Sequence, residues 1–306
     1  MRSTGFTDLV GCRLALQQAP LGGLGAGLAG AVAAAGGLGM VAATGMSPEV
    51  LERVLDPLSL PLERVGVNFL VPFLERDAVR VAAERARLVD FFWGEPDAAL
   101  VEEVHAFGAL ACWQVGSAAE AGAAVEAGCD VVAAQGVEAG GHVRGDVGVL
   151  PLLAEVLEAV AVPVIAAGGI ASAPAVAAAL AAGAAAVRVG TRFVAATEAR
   201  AHPRYVDRLI HSRADDTVVT DRFGRDWRLH GRHRVIRSAL DAAEAFEGDV
   251  VGERSGWPVP RFSATPPDVD TTGAIEAMAL YAGQSVGAVR RRQAAAEIVR
   301  ELFARA

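Results

Sequence analysis

Polar and hydrophobic positions along this chain alternate in blocks. Short, mostly apolar runs precede segments with helical spacing, and glycine or proline separates most of them. Residues 14–18, 38–42, 65–69, 89–93, 110–115, 130–135, 162–167 and 185–189 read as strands. Runs apolar on both faces are those of parallel strands covered on both sides. Helical spacing fills 26–35, a segment opening at Ser47-Pro48-Glu49, then 75–87, 97–107, 118–127, 150–160 and 173–182. Proline sits at a first helical position at Pro48, and Ser117 is placed to cap. Eight strands alternating with helices through short loops predict a (β/α)8 barrel; a doubly wound open sheet is the alternative, and the eight units favour the barrel.

The rhythm breaks at His202-Pro203. Residues 1–204 therefore form the predicted barrel, residues 205–271 a small region covering its mouth, and residues 272–306 a helical tail packing back on barrel or lid. Arg222, Arg225, Arg228, Arg232, Arg234 and Arg237 fall in the covering region and read as a solvated, ion-paired surface.

The stretch around which the chemistry gathers follows the sixth strand: Gln135-Gly136-Val137-Glu138-Ala139-Gly140-Gly141-His142. Glycines let a backbone come close to a flat or charged ligand. His142 is the proton-transfer group of that loop, and histidine titrates near neutrality. Its place after a strand end puts it at the carboxyl face, where barrel enzymes keep their chemistry. His105 reads as helical, and His202, His211, His230 and His233 fall after the eighth strand. Barrels frequently build a phosphate site from the loops after strands seven and eight. Here those loops begin Gly168-Gly169-Ile170 and Gly190-Thr191-Arg192-Phe193, and both offer glycine amides beside a helix start. Gly25-Ala26-Gly27-Leu28-Ala29-Gly30 matches a dinucleotide fingerprint, but Pro20 and two glycines separate it from its strand, so it reads as the first helix.

Composition narrows the picture. The chain has 306 residues, 53% of them hydrophobic, with a formal net charge of −8, which argues against a nucleic-acid surface. Lysine is absent, so Schiff-base chemistry and the phosphate-loop lysine are excluded. Cys12, Cys112 and Cys129 have no metal-ligand spacing, so no metal is expected, and an odd count suggests a reduced, cytoplasmic protein. Residues 19–41 carry no charge, yet their many glycines and few large aliphatics make a poor membrane span. The first residues lack an apolar signal core.

Several strings together resemble one family. They are Gln18-Ala19-Pro20, Gly36-Gly37-Leu38-Gly39, Val67-Asn68, the Gln135–His142 stretch, Ala167-Gly168-Gly169-Ile170, Gly190-Thr191-Arg192-Phe193, Asp216-Thr217-Val218-Val219-Thr220 and Tyr281-Ala282-Gly283-Gln284-Ser285. In these the chain resembles the nitronate monooxygenase (2-nitropropane dioxygenase-like) flavoproteins, FMN-dependent barrels related to flavin-type enoyl-acyl-carrier-protein reductases. The resemblance implies FMN across the barrel mouth. Gly168, Gly169, Gly190 and Thr191 would hold its phosphate, and backbone at Ala19 and Pro20 would line the ring. Asn68, Gln114 and Gln135 would hydrogen-bond the flavin, Gly140 would let it approach the loop, and His142 would act on the substrate. The family's common Thr-Pro pair is missing after Pro20.

The implied activity is oxidation of alkyl nitronates, and of nitroalkanes after removal of a proton α to the nitro group, with O2 as co-substrate. The nearest rival keeps FMN but takes hydride from NAD(P)H for a quinone or enoyl thioester. A third reading, from another class, is a non-catalytic barrel that binds FMN or a phosphorylated metabolite. The partners expected are a small-molecule substrate with O2 or NAD(P)H, no nucleic acid and no membrane, with a homodimer left open.

Overall fold

The computed structural model describes residues 3–56, 64–224 and 231–304. Eight parallel strands form the barrel: β1 (Leu16–Gln18), β2 (Gly39–Ala42), β3 (Val65–Leu70), β4 (Leu88–Phe92), β5 (Leu110–Val115), β6 (Val131–Gln135), β8 (Val164–Ala167) and β9 (Ala186–Val189). Between the sixth and seventh of them lies β7 (Gly141–His142), which belongs to a different sheet. Neighbouring barrel strands pair in parallel from β2 round to β9 and β1. A bridge between Gln17 and Leu38, with Gln18 N–H donating to Leu38 O at 2.9 Å, closes the ring.

Because side chains alternate along a strand, each barrel strand sends one set outward and one inward. Val67, Phe69, Val89, Phe91, Trp113, Val132 and Val187 face out, onto the helices. The lower interior is apolar: Leu38, Met40, Leu88, Cys112, Val131, Ile165 and Ala186 pack there. The helix α1 (Gly5–Val10), capped by Thr4, seals that end by inserting Phe6 and Val10 into the same cluster. The ring of helices is α2 (Gly27–Ala35), α3 (Pro48–Leu55), α4 (Arg76–Arg85), α5 (Ala98–Ala106), α6 (Ala118–Glu126), α7 (Val149–Ala159) and α8 (Ala173–Ala181). Ser117 and Ser172 cap α6 and α8 by accepting from Glu120 N–H and Ala175 N–H.

The eighth helical position is filled late in the chain. After β9 there is only a short α9 (Thr191–Val194), followed by α10 (Pro203–Ile210). The remaining elements are β10 (Thr217–Thr220), β11 (His233–Ile236), α11 (Arg237–Ala245), β12 (Val250–Arg254), β13 (Trp257–Pro260), β14 (Thr271–Gly273) and α12 (Ala295–Leu302). Helix α12 packs on α2 and α8, and its Ala295, Ile298, Val299 and Leu302 join the outer core. The helical tail read over residues 272–306 is thereby corrected. Residues Thr271–Gly273 are strand, Ile275–Ala277 and Gln284–Ala288 are single 3₁₀ turns, and α12 is the one α-helix among the described residues of that stretch. The helical spacing of Ile275, Met278 and Ala279 comes from a turn buried under α11, not from a continuous helix.

The covering region is stitched to the barrel through β7. Strand β11 pairs antiparallel with β10 on one side and with β7 on the other, His233 opposite His142. The arginine-rich segment there is only partly a solvated surface. Arg222 pairs with Glu244 and Arg232 with Asp146 at the surface, and Arg237 is exposed. Arg234 is buried, donating to Val137 O from Nη2 at 2.8 Å and to Thr217 Oγ1 at 3.2 Å. Arg225, Arg228 and His230 lie outside the described residues. Among the described residues no helix is long and apolar enough to cross a membrane, and no cluster of three metal-ligating side chains occurs.

Candidate active site

The upper half of the barrel interior is polar, in contrast to the branched aliphatics usual in such barrels. The inward positions there are Gln17, Asn68, Asp90, Gln114, Gln135 and Arg188, all buried. Arg188 stands at the centre. Its Nε donates to Gln17 Oε1 at 2.7 Å, its Nη2 to Asp90 Oδ1 at 2.8 Å, and its Nη1 to Gln114 Oε1. Asn68 Nδ2 donates to Asp90 Oδ2 at 2.8 Å. Burial works against the Arg188 charge, but Asp90 more than offsets this and holds the guanidinium protonated. Burial, then Asp90, pushes the Cys112 thiol up, so the nearby sulfur stays a neutral thiol.

Above this layer opens a cavity of about 320 Å³. Every site residue expected from the sequence lines it. Ala19 and Pro20 enter from the loop after β1, Asn68 and Gln114 from β3 and β5, and Gln135, Gly140 and His142 from β6 and its loop. Gly168 and Gly169 follow β8, and Gly190 and Thr191 follow β9. Gly168 (φ 109°) and Gly169 (φ 69°) hold left-handed backbone that disfavours any other residue. The covering region contributes Tyr205, Arg254 and Thr265, and the tail Tyr281, Gly283 and Ser285.

Within the cavity several of these residues also hold the surrounding backbone. Gln135 turns its amide to the His142 loop: Nε2 donates to His142 O at 2.8 Å, and Oε1 accepts from Arg144 N–H at 3.1 Å. Gly140 answers to a backbone crossing, because a Cβ there would stand 2.4 Å from Gly283 N. Thr191 Oγ1 accepts from Gly283 N–H at 2.9 Å, so it ties the tail to the loop after β9. Glu138 serves as a helix cap, both carboxylate oxygens accepting from Val149 N–H at 3.1 and 3.0 Å. Arg192 joins the two glycine loops by donating to Ala171 O at 3.0 Å, and Gln293 and Glu301 hold its other nitrogen.

His142 sits in a box of rings. The His233 ring lies 4.4 Å away, Trp93 5.7 Å and Tyr281 5.9 Å, centroid to centroid. Burial, and then the neighbouring His233, push its pKa well below the ordinary histidine range. His142 is accordingly a neutral imidazole at neutral pH, the form that accepts a proton.

Sequence reasoning missed three members of this site. Arg188 and Asp90 each interrupt an apolar strand run, Val187-Arg188-Val189 and Val89-Asp90-Phe91, and a charge at the inward phase of a barrel strand was the available signal. His233 carried no local signal, because only the pairing of β11 with β7 brings it to His142.

Two glycine loops, a buried ion pair and a neutral histidine around the mouth of a (β/α)8 barrel have the layout of a barrel enzyme's site. Comparison with known proteins agrees. The nitronate monooxygenase family model matches residues 62–305, and the chain belongs to that family. It is 34% identical over 252 residues to the (3aS,4S,5R,7aS)-5-hydroxy-7a-methyl-1-oxo-octahydro-1H-indene-4-carboxyl-CoA dehydrogenase of Mycobacterium tuberculosis, covering 78% of this chain and 67% of that protein. FabK from Thermotoga maritima superposes with a TM-score of 0.79 at 28% identity, covering 99% of this chain and 95% of that one. The nitroalkane oxidase of Streptomyces ansochromogenes superposes with a TM-score of 0.78 at 29% identity, covering 98% and 96%.

Proposed function

We propose that this oxidoreductase binds FMN across the barrel mouth and oxidises alkyl nitronates, and nitroalkanes after deprotonation, with O2 as co-substrate. One observation carries the reading: the two glycine loops after β8 and β9, the polar floor and His142 all line the same cavity. The residues fit the group. The cavity volume of about 320 Å³ lies within the usual range of cofactor pockets, about 300–1,000 Å³. Left-handed glycines at 168 and 169 and the open Gly190 suit a phosphate held by amides. Gly168, Gly169, Gly190 and Thr191 would hold that phosphate, Ala19 and Pro20 would flank the ring, and Asn68, Gln114 and Gln135 would border it.

FMN supplies the electron acceptance that no side chain provides. The protein supplies the rest. His142, neutral and walled by Trp93, His233 and Tyr281, takes the proton from the carbon α to the nitro group. Gln135 fixes the loop that carries it. A pre-formed nitronate needs no such step. The covering region and the tail roof the cavity and exclude water, through Tyr205 and Thr265 of the one and Tyr281 of the other.

A second reading is an NAD(P)H-linked FMN reductase acting on a quinone or an enoyl thioester. The likeness to FabK over nearly the whole chain and to a CoA-ester dehydrogenase favours it. One experiment separates the two. The purified protein is tested for flavin by visible spectrum and by mass after heat release, then titrated anaerobically with a nitronate, NADH or NADPH. Bleaching by the nitronate supports the first reading, and bleaching by NADH or NADPH alone the second. Recovery of FAD, or of no flavin after reconstitution, overturns both.

A further inference from the structure

We propose that Arg188 is the fixed cation that sets the electron affinity of the bound flavin, an inference that rests on the FMN reading above. Arg188 lines the cavity floor, whereas its partner Asp90 is fully buried and does not reach the lining. The ion pair is thus oriented, positive end toward the cavity and negative end into the barrel. A buried pair of this kind is costly to desolvate, and apolar residues of the same volume would stabilise a barrel at least as well. Packing alone therefore gives no reason for it, and the inward layer below it is apolar.

The pair is also rigidly held. Gln17 and Gln114 accept from Arg188 Nε and Nη1, and Asn68 donates to the Asp90 oxygen that Arg188 leaves. The guanidinium therefore cannot swing away when the charge of its neighbour changes, and such preorganised charge acts without reorganisation.

Its rivals are few. Among the described residues lining the cavity, the other cationic side chain is Arg254. Arg254 bonds Asp268 through Nε at 2.9 Å and Nη2 at 2.6 Å and reaches Gly23 O, so it belongs to the rim. The chain has no lysine, and His142 is neutral. Reduction adds negative charge to a flavin ring, and a fixed cation beneath it favours the reduced over the oxidised form.

The test is the two-electron midpoint potential of bound FMN, read against a reference dye, together with FMN content. Arg188→Gln combined with Asp90→Asn removes both charges and keeps hydrogen-bonding groups. It should weaken retention of reduced relative to oxidised FMN by about tenfold, a fall of about 30 mV. Arg188→Lys should stay near the parent potential. Asp90→Asn alone, which leaves the cation uncompensated, should raise the potential, and this opposite sign decides the matter should the double variant not fold. A parent protein that holds no FMN overturns the FMN reading and this inference with it. FMN bound normally at an unmoved potential in the charge-free variant, or a fall in Asp90→Asn, overturns the inference alone and leaves a packing role for the pair.

Discussion

The imidazoles of His142 and His233 lie 4.4 Å apart, their planes inclined at 63°, on paired residues of β7 and β11. Two imidazolium ions at that separation repel, so the pair takes up a second proton only at markedly lower pH. The covering region therefore delivers more than a roof. It buries the imidazole of His142 and sets His233 beside it, and burial first, then His233, favours the neutral ring, while the same strand pairing fixes its position.

A pH dependence follows, with its sign fixed by the direction of the shift. The folded His142 has a pKa below that of an unfolded histidine, which is near 6.5. Below about pH 6.5 the unfolded chain takes up that proton and the folded chain does not, so this group's contribution favours unfolding increasingly as pH falls. Above that window it is constant. Urea unfolding of the parent and of His142→Gln between about pH 7.5 and 5 should show the parent losing more stability on acidification. Parallel curves would mean that His142 titrates normally. The acid limb of nitroalkane turnover should also lie below the ordinary histidine range and move upward in His233→Asn.

His142→Ala separates a base from a packing residue. FMN should stay bound, because the glycine loops after β8 and β9 lie elsewhere on the cavity wall. Turnover of a neutral nitroalkane should fall about 10²- to 10⁴-fold, the usual worth of a positioned proton acceptor. Oxidation of a pre-formed nitronate should fall much less. Steady-state oxygen uptake with both substrates measures the split, and equal losses on both would remove the base role.

How much of this was legible in the sequence follows from the range of each interaction. The barrel strands were readable because each is a short, mostly apolar run bounded by turn residues, a local pattern set by burial. The glycine loops were readable because they sit at fixed places after those strands. Strand β7 was not, since two residues of a glycine loop become a strand only through pairing with the distant β11. The same distance hid His233. Helix α12 was recognisable as helical, but its place in the ring depends on α9 being too short to fill it. Arg188 and Asp90 left a trace that period-two reading can catch, a charge at the inward phase of two strands that lie on opposite sides of the barrel.

Glu138 tests the division between support and chemistry within the Glu138–His142 string. Its carboxylate caps α7 at Val149 N–H, and Gln284 N–H donates to its carbonyl at 2.9 Å. Losing a side-chain cap costs about 0.5–2 kcal/mol. Glu138→Ala should therefore lower the thermal midpoint by a few degrees, about 2–4 °C per kcal/mol at this size. The ratio of nitroalkane to nitronate turnover should not change. A shifted ratio at unchanged stability would place Glu138 in the chemistry.

Gly190→Glu asks whether the loop after β9 holds the phosphate. Gly190 has φ −114°, outside the left-handed region, so a side chain there meets no backbone strain. A Cβ would come 3.2 Å from the Ala19 Cβ and 4.0 Å from Leu21, contacts that a small shift relieves. The fold should survive. The carboxylate would then stand in the cavity beside the glycine amides, where a phosphate carries charge of the same sign. Like charges at close range in a partly buried site exclude one another at a cost of several kcal/mol. Flavin content per protein should fall at least tenfold while circular dichroism and elution volume stay those of the parent. Gly190→Ala, which adds the Cβ without the charge, should retain most of the flavin and so separate repulsion from crowding. If Gly190→Glu is soluble and carries a full complement of flavin, the phosphate lies elsewhere and the loop after β9 is a turn with no ligand.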